Sequence, residues 1–203
     1  MRIPNAVHEA HPWVIAQVAP DFELLDAWRL PATGGPDDFP KLVSVVTAPT
    51  ASAGGSSTPA RALFALRFRL GALLGWDDPD RTLPIPGCTE TTLRARVPES
   101  LRVGARDGLL VSSTRFLPIY ETDDEWAAEI SNATVHAVLQ LGWVEEGDGG
   151  HRGQMGVYVK PRGKLGTAYM AAIAPFRHRI VYPALMRQIR RAWDARSAEP
   201  AAR

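Results

Sequence analysis

The chain has 203 residues, of which 45% are hydrophobic and 22% charged, and its formal net charge is +1. This length suits one domain with a sizeable core, and the balanced charge argues against a general nucleic-acid binder. The single cysteine excludes an internal disulfide and fits a reducing compartment. No apolar signal region opens the chain and no apolar run reaches the ~20 residues of a membrane span. We therefore predict a cytoplasmic protein without a membrane span or a nucleic-acid partner.

The first strand follows an irregular arm at residues 1–20. In the stretch DFELLDAWRLP, side chains that alternate at period 2 predict a strand with one face in a core. These residues are Phe22, Leu24, Asp26, Trp28 and Leu30. Asp26 is the exception among them, because a carboxylate on an apolar face is costly unless it is paired or hydrogen-bonded.

Two helices are predicted after this strand, separated by a flexible loop. DDFPKLVSVV suits a short helix with acids in its first turn. The small, Gly/Pro-rich residues 48–60 predict the loop. RALFALRFRLGALLGW then repeats leucine at helical spacing and predicts an amphipathic helix. The loop is no domain boundary, since too little chain precedes it to form a core of its own, so residues 1–203 are predicted to be a single domain.

The central part of the chain predicts five antiparallel strands. They are TLRARV, GLLVSSTRFLPIYET, DEWAAEIS, ATVHAVLQLGWVE and QMGVYVK. EEGDGGHRG supplies the glycines that a hairpin turn needs. By period-2 alternation, Trp126 and Leu139 face the core, whereas His136 and Gln140 point to solvent.

The carboxyl-terminal segment predicts one long helix that is bent by two prolines. An apolar stripe runs along it through Tyr169, Ile173, Phe176, Ile180, Leu185, Ile189 and Trp193. Pro175 and Pro183 each remove a backbone donor and should bend or break the helix. The arginines mostly lie off the stripe and predict a solvated basic face, with contact to an anionic surface as the alternative. Residues 197–203 predict a disordered tail.

This order predicts an α+β protein in which a curved antiparallel sheet wraps around a long C-terminal α-helix. A bent helix over a concave sheet can leave a cavity beneath it, and two shorter helices packed tightly would leave none. Both alternatives are open at this stage.

The order of elements resembles the helix-grip fold of the START and birch-pollen-allergen superfamily, also called SRPBCC. The stretches VYVKPRGKLG and PFRHRIVYP are similar to those of a bacterial family of unknown function, also found fused to NAD-binding reductase-like proteins. The resemblance implies a cavity between the sheet and the terminal helix for apolar or amphipathic small molecules. Some superfamily members are cyclases or dehydratases, and many only bind. The resemblance carries over no catalytic motif.

The candidate ligand-binding residues combine an apolar wall with one polar group. They are Asp26, Trp28, Trp126, Leu139, Tyr169 and Phe176. Asp26 is either a polar anchor, a weak candidate for an acid/base, or part of a structural ion pair with Arg67 or Arg69. His8, Glu9 and His11 fall one residue short of the H-E-x-x-H zinc pattern, so no metal site is predicted, and no cofactor motif occurs.

Three functions remain as hypotheses. The first is binding of a hydrophobic or amphipathic small molecule in the cavity. The second is a cyclase, dehydratase or isomerase that acts on a polyketide-like or lipid-like substrate, with Asp26 as acid/base. The third is an interaction module that docks through the basic helix. Its partner is either a second copy of the chain, which gives a homodimer, or a reductase.

Overall fold

We describe the protein from a computed structural model, which covers residues 1–48, 83–102, 109–111, 114–147 and 149–198. The predicted amphipathic helix and almost all of the loop at residues 48–60 lie outside these ranges. The strands are Arg2–Ile3 (β1), Glu23–Gly34 (β2), Leu109–Val111 (β3), Thr114–Glu121 (β4), Glu125–Ser131 (β5), Val135–Glu145 (β6) and His151–Pro161 (β7). They form one sheet in the order β1-β2-β7-β6-β5-β4-β3, and every pairing is antiparallel.

The helices lie before, between and after these strands. They are Asn5–Glu9 (α1), Ile15–Val18 (α2), Phe39–Thr47 (α3), Gly163–Phe176 (α4) and Tyr182–Ala198 (α5). A π-helical segment, Arg177–Val181, joins α4 to α5 without a break. The predicted α+β fold with a long C-terminal helix over a curved antiparallel sheet is confirmed, and it is helix-grip-like.

Most of the predicted strands are confirmed, and one is wrong. The hairpin between β6 and β7 is confirmed, and Gly149 has the positive φ of 80° that such a turn requires. TLRARV is not a strand, because Leu93–Arg96 forms a 3-10 turn. The Thr92 hydroxyl accepts a hydrogen bond from the Arg94 amide at 3.1 Å, and this side-chain bond offers the backbone an alternative to the sheet.

The sheet is covered on both faces. On one face α5 and α3 bury Trp126, Leu141 and Met155, and we call this the helix side. On the other face, the N-terminal residues 1–20 and residues 85–101 cover Val138 and Tyr158. We call this face the opposite side. The segment predicted as an arm thus contains a strand and two short helices, and its Trp13 and Ile15 are 2% and 0% exposed. Burial on both faces explains how a sheet of this size closes its core.

The prediction that His136 and Gln140 point to solvent is wrong. Both side chains are fully buried on the opposite side. Alternation correctly separates them from Leu139 and Leu141, but it cannot show that a second layer covers their face. His136 Nε2 lies 2.8 Å from the Glu129 carboxylate, and the Gln140 amide donates to Glu125 at 3.3 Å. These bonds satisfy one nitrogen of each side chain, whereas His136 Nδ1 and Gln140 Oε1 have no hydrogen-bond partner among the described residues.

Candidate functional site

Four of the six predicted ligand-binding residues form one patch on the helix side of the sheet. The β-ladder places Asp26 opposite Val157, and Val157 opposite Leu139. The next row of the ladder contains Trp28, Met155, Leu141 and Trp126. Directly paired residues point to the same face and neighbouring strands lie about 4.8 Å apart. Asp26 and Leu139 are therefore two strands apart on a continuous surface.

A bulge in β2 turns Asp26 toward the helix. Leu24 pairs with Tyr158 and Asp26 pairs with Val157, so β2 has one extra residue, Leu25, at this point. Leu24 consequently packs on the opposite side with Ala27, while Asp26 and Trp28 face α5. The prediction that Leu24 and Asp26 share a face is wrong, because a bulge of one residue inverts the alternation.

The Asp26 carboxylate is fully buried and is held by the terminal helix. It accepts hydrogen bonds from His178 Nε2 at 2.7 Å and from the Tyr182 hydroxyl at 2.9 Å, and it pairs with Arg177 Nη2 at 3.0 Å. Arg2 lies 3.5 Å away with a half-exposed side chain. These contacts compensate the desolvation of the carboxylate. Burial, and then the negative charge of Asp26, raises the pKa of Tyr182.

The sequence did not identify these partners. The alternative ion pairs with Arg67 or Arg69 fall on residues outside the described ranges. Arg177 is one of the arginines that the sequence predicts on the solvated basic face, yet its side chain is only 12% exposed. Arg177 follows Ile173 of the apolar stripe by four residues, so regular helical spacing already places it on the same face of the helix.

The prolines provide the sequence signal for the π segment. Pro175 lies in the last turn of α4 and Pro183 in the first turn of α5, on either side of RHRIV. Neither proline can donate a backbone hydrogen bond. The helix therefore accommodates both by local unwinding, and it presents Arg177 and His178 to the sheet.

His178 has the geometry of a group that could exchange a proton. A carboxylate can only accept, so the His178 Nε2 carries the proton in the bond to Asp26, and in neutral imidazole Nδ1 is then the acceptor. The side chain is 31% exposed, whereas Asp26 is buried. A buried acid that orients an accessible imidazole resembles the base and its orienting group in hydrolytic sites.

Two buried donors lack hydrogen-bond partners among the described residues, one on the same face of β2 as Asp26 and one on its ion-pair partner. They are Trp28 Nε1 and Arg177 Nε. Trp28 packs against the Tyr182 ring with 4.8 Å between centroids. Buried polar groups are usually satisfied, so unpaired donors close to a carboxylate mark a position where a polar ligand atom or a water would be stabilised.

Packing between helix and sheet is tight under α5 and looser under α4. Tyr182, Ile189 and Trp193 of α5 are 3–5% exposed. By contrast, the predicted wall residues Tyr169 and Phe176 on α4 are only partly buried. The helix-side residues Ala137, Leu139 and Val157 are partly buried as well. The apolar surface near Asp26 is thus incompletely covered from both the helix and the sheet.

A second polar cluster lies on the opposite side of the sheet. Glu125 accepts bonds from the amides of Val14 and Ile15 and from the Tyr120 hydroxyl at 2.7 Å. Burial raises the pKa of Glu125 despite these donors. The groups tie α2 to the sheet, so they have a structural explanation that needs no ligand.

Among the described residues, no group of three or more His, Cys, Asp or Glu side chains could hold a metal ion. His8 instead contacts Gln154 at 2.8 Å through Nδ1, and His11 stacks on Trp13 with 3.8 Å between centroids. In the same part of the chain, no helix combines the length and apolarity needed to cross a membrane.

The fold and the patch define an α+β, helix-grip-like protein with a polar cluster beneath its terminal helix. Residues 18–184 match the model of the DUF2867 family, described as proteins of unknown function, and the chain belongs to this family. The match includes β2 to β7 and the π segment, but it leaves out β1 and ends inside α5. No curated protein and no solved structure matches the chain.

Proposed function

We propose that the protein binds a hydrophobic or amphipathic small molecule between α4 and the helix side of the sheet. The observation that carries the proposal is the continuous patch of Asp26, Trp28, Trp126 and Leu139 next to incompletely buried apolar residues. Ligand sites typically combine an apolar wall with a few polar groups that fix orientation. The helix-grip-like fold supports placing the family in the SRPBCC superfamily, whose members hold such molecules in the corresponding position.

The polar end of the ligand would lie at the Asp26 cluster. Trp28 Nε1 and Arg177 Nε are unpaired donors there, and a hydroxyl or carbonyl oxygen could accept from them. Tyr169 and Phe176 would contact the apolar body of the molecule from α4. The ligand is therefore expected to carry one oxygen-containing group on a largely apolar skeleton.

Native mass spectrometry of the freshly purified protein tests the proposal directly. We expect an added mass that disappears on denaturation. A neutral fluorescent probe, N-phenyl-1-naphthylamine, provides a second measurement that does not depend on retention of the natural ligand. Saturable binding of this probe should be displaced by extracts that contain the co-purified molecule.

A pair of matched variants locates the site. Leu139→Trp adds volume inside the proposed site, whereas Leu117→Trp makes the same change at a side chain that is 48% exposed. We expect Leu139→Trp to reduce probe affinity at least tenfold and Leu117→Trp to leave it unchanged, with both proteins folded by circular dichroism. Equal affinity of both variants would refute the location. If Leu139→Trp unfolds, Leu139→Ala serves instead and should alter probe affinity, and an affinity equal to that of Leu117→Trp would again refute the location.

A catalytic function is the second candidate, favoured by the His178–Asp26 pair. Asp26 itself is a poor base because its oxygens already accept from three side chains. His178 would take the proton, and Asp26 would orient it. An isomerisation or dehydration of a polyketide-like or lipid-like substrate would use such a base.

His178→Asn separates binding from catalysis. The bound molecule is incubated with either protein and its mass and absorbance are followed over time. Conversion by the wild type but not by His178→Asn, with probe affinity retained, supports catalysis. No conversion by the wild type leaves binding as the function.

A further inference from the structure

A cavity lies at the other end of the sheet–helix interface from the site proposed under α4. It has a volume of about 340 Å³ and lies where β2, β7 and α5 meet. Its lining residues are Met1, Arg29, Leu30, Pro31, Arg152, Met186, Arg187 and Arg190. We call it the arginine cleft. None of the predicted ligand-binding residues lines it, so it is distinct from the site beneath α4.

An irregular part of β2 shapes the arginine cleft. Arg29 pairs with Gln154 and Thr33 pairs with Arg152, so three residues of β2 stand opposite the single Gly153 of β7. Pro31 lies within this bulge, where the ladder needs no hydrogen bond from the backbone N–H that proline lacks. The surplus residues bend β2 and place Arg29 and Arg152 on the same cleft. Bulges of this kind often re-aim side chains at functional sites.

The charge in the cleft is unbalanced. Four guanidinium groups line it, and Glu146 is the described acid that pairs with two of them, at 2.8 Å from Arg152 and 3.7 Å from Arg29. Arg187 and Arg190 form no ion pair with any described carboxylate. Like charges around one cavity repel each other, and a bound anion relieves that repulsion.

The positive charge of the cleft suits an anion with more than one negative charge, such as a phosphate monoester. Four of the cations are arginines, whose planar fork can donate two parallel hydrogen bonds to phosphate oxygens. The terminal amine of Met1, which also lines the cleft, is a fifth. Arg152 is hydrogen-bonded to Glu146 at 2.8 Å, and Arg29 lies 3.7 Å from the same carboxylate. Leu30, Pro31 and Met186 provide an apolar surface beside the charges. The combination suits a phosphoryl group attached to a small apolar body.

The volume limits the size of the ligand. A cavity of about 340 Å³ is at the lower end of the range for small-molecule sites, which is roughly 300–1,000 Å³. A single phosphorylated group with a few carbon atoms fits, whereas a dinucleotide does not. From these observations we infer that the arginine cleft binds a small phosphate monoester, or the phosphate headgroup of a lipid that presents the same chemistry.

Isothermal titration calorimetry with phenyl phosphate and with inorganic phosphate tests the inference at low ionic strength. We expect saturable binding of both, with phenyl phosphate tighter because Leu30, Pro31 and Met186 contact its ring. The Arg187→Gln/Arg190→Gln variant should lose at least tenfold in affinity for phenyl phosphate. Absence of saturable binding by the wild type at millimolar phenyl phosphate overturns the proposal.

Arg191→Gln is the matched control. It removes one charge from the same helix, as each of the single changes Arg187→Gln and Arg190→Gln does. Arg191 is exposed like those two residues, but it does not line the cleft. We expect its affinity to stay within twofold of the wild type. Equal losses in Arg191→Gln and in the double variant would show that general electrostatic attraction, and not a site, causes the binding. Thermal unfolding checks that all variants remain folded. The wild-type titration tests the inference even if a variant does not fold.

Vesicle sedimentation distinguishes the two sources of phosphate. Vesicles of phosphatidylcholine with 20% phosphatidic acid, which presents a phosphate monoester, are compared with pure phosphatidylcholine. Binding that phenyl phosphate competes away and that the double variant lacks assigns the cleft to a lipid headgroup. Saturable phenyl phosphate binding without vesicle binding assigns it to a soluble phosphate ester. Vesicle binding that phenyl phosphate does not affect contradicts the cleft as the site.

Discussion

Removing the charge of Asp26 should destabilise the protein far more than the same change at an exposed carboxylate. In Asp26→Asn, Arg177 keeps its charge with a side chain that is 12% exposed, while its partner becomes neutral. Breaking a buried ion pair from one side costs about 3–5 kcal/mol. Asn keeps the shape and one oxygen acceptor for His178 or Tyr182, so we expect the lower end, about 3 kcal/mol. Folded domains have about 5–15 kcal/mol of stability, and the variant should therefore still fold.

The matched control is Asp21→Asn. Asp21 accepts hydrogen bonds from Arg96 at 2.6 Å and from Lys160 at 2.5 Å, both closer than Arg177 is to Asp26, but its side chain is 32% exposed. Exposed ion pairs contribute about 0–1 kcal/mol because water screens them. The comparison therefore tests burial and not distance as the source of the effect.

A double-mutant cycle measures the coupling itself. Arg177→Met alone leaves Asp26 with Tyr182, His178 and the half-exposed Arg2, and we expect a loss of about 3 kcal/mol. Asp26→Asn/Arg177→Met removes both charges and should cost about 2–3 kcal/mol less than the two single losses added together. Urea unfolding followed by tryptophan fluorescence gives the free energies. Additive losses, or a loss in Asp26→Asn no larger than in Asp21→Asn, would refute this account of the cluster.

Three further changes test the packing and the opposite side of the sheet. Gly142→Ala should cost about 1–3 kcal/mol in the free energy of unfolding, because the new Cβ would lie 2.2 Å from the Trp13 ring. The control is Gly147→Ala, whose new Cβ meets nothing within 4 Å and which should be near neutral. Burial lowers the pKa of His8 below its usual value of about 6.5, so the unfolded chain binds more protons below that pH and stability falls as the pH drops. The loss between pH 7.5 and 5.5 should be smaller in His8→Asn, and an equal loss would contradict the assignment to His8. Trp193→Ala removes a side chain that is 5% exposed and should cost about 3–5 kcal/mol, whereas a cost below about 1 kcal/mol would show that α5 does not depend on this contact.

The sequence alone was sufficient where a local pattern determines the structure. Period-2 alternation correctly placed Trp126 and Leu139 on the helix side, since a regular strand has only two faces. The hairpin at residues 146–150 and the long terminal helix also followed from local composition and periodicity. The unusual position of Asp26 was visible as a carboxylate in an apolar pattern.

Only the tertiary structure decided which residues surround Asp26. Its partners Arg177, His178 and Tyr182 lie more than 150 residues away along the chain, so no local pattern links them. A single extra residue in β2 and the π segment each change the phase of the side chains, and periodicity predicts only regular elements. The burial of His136 likewise depends on a second layer that alternation cannot show. The sequence therefore determined the elements and their apolar faces, while the packing of distant segments determined the polar cluster and the arginine cleft.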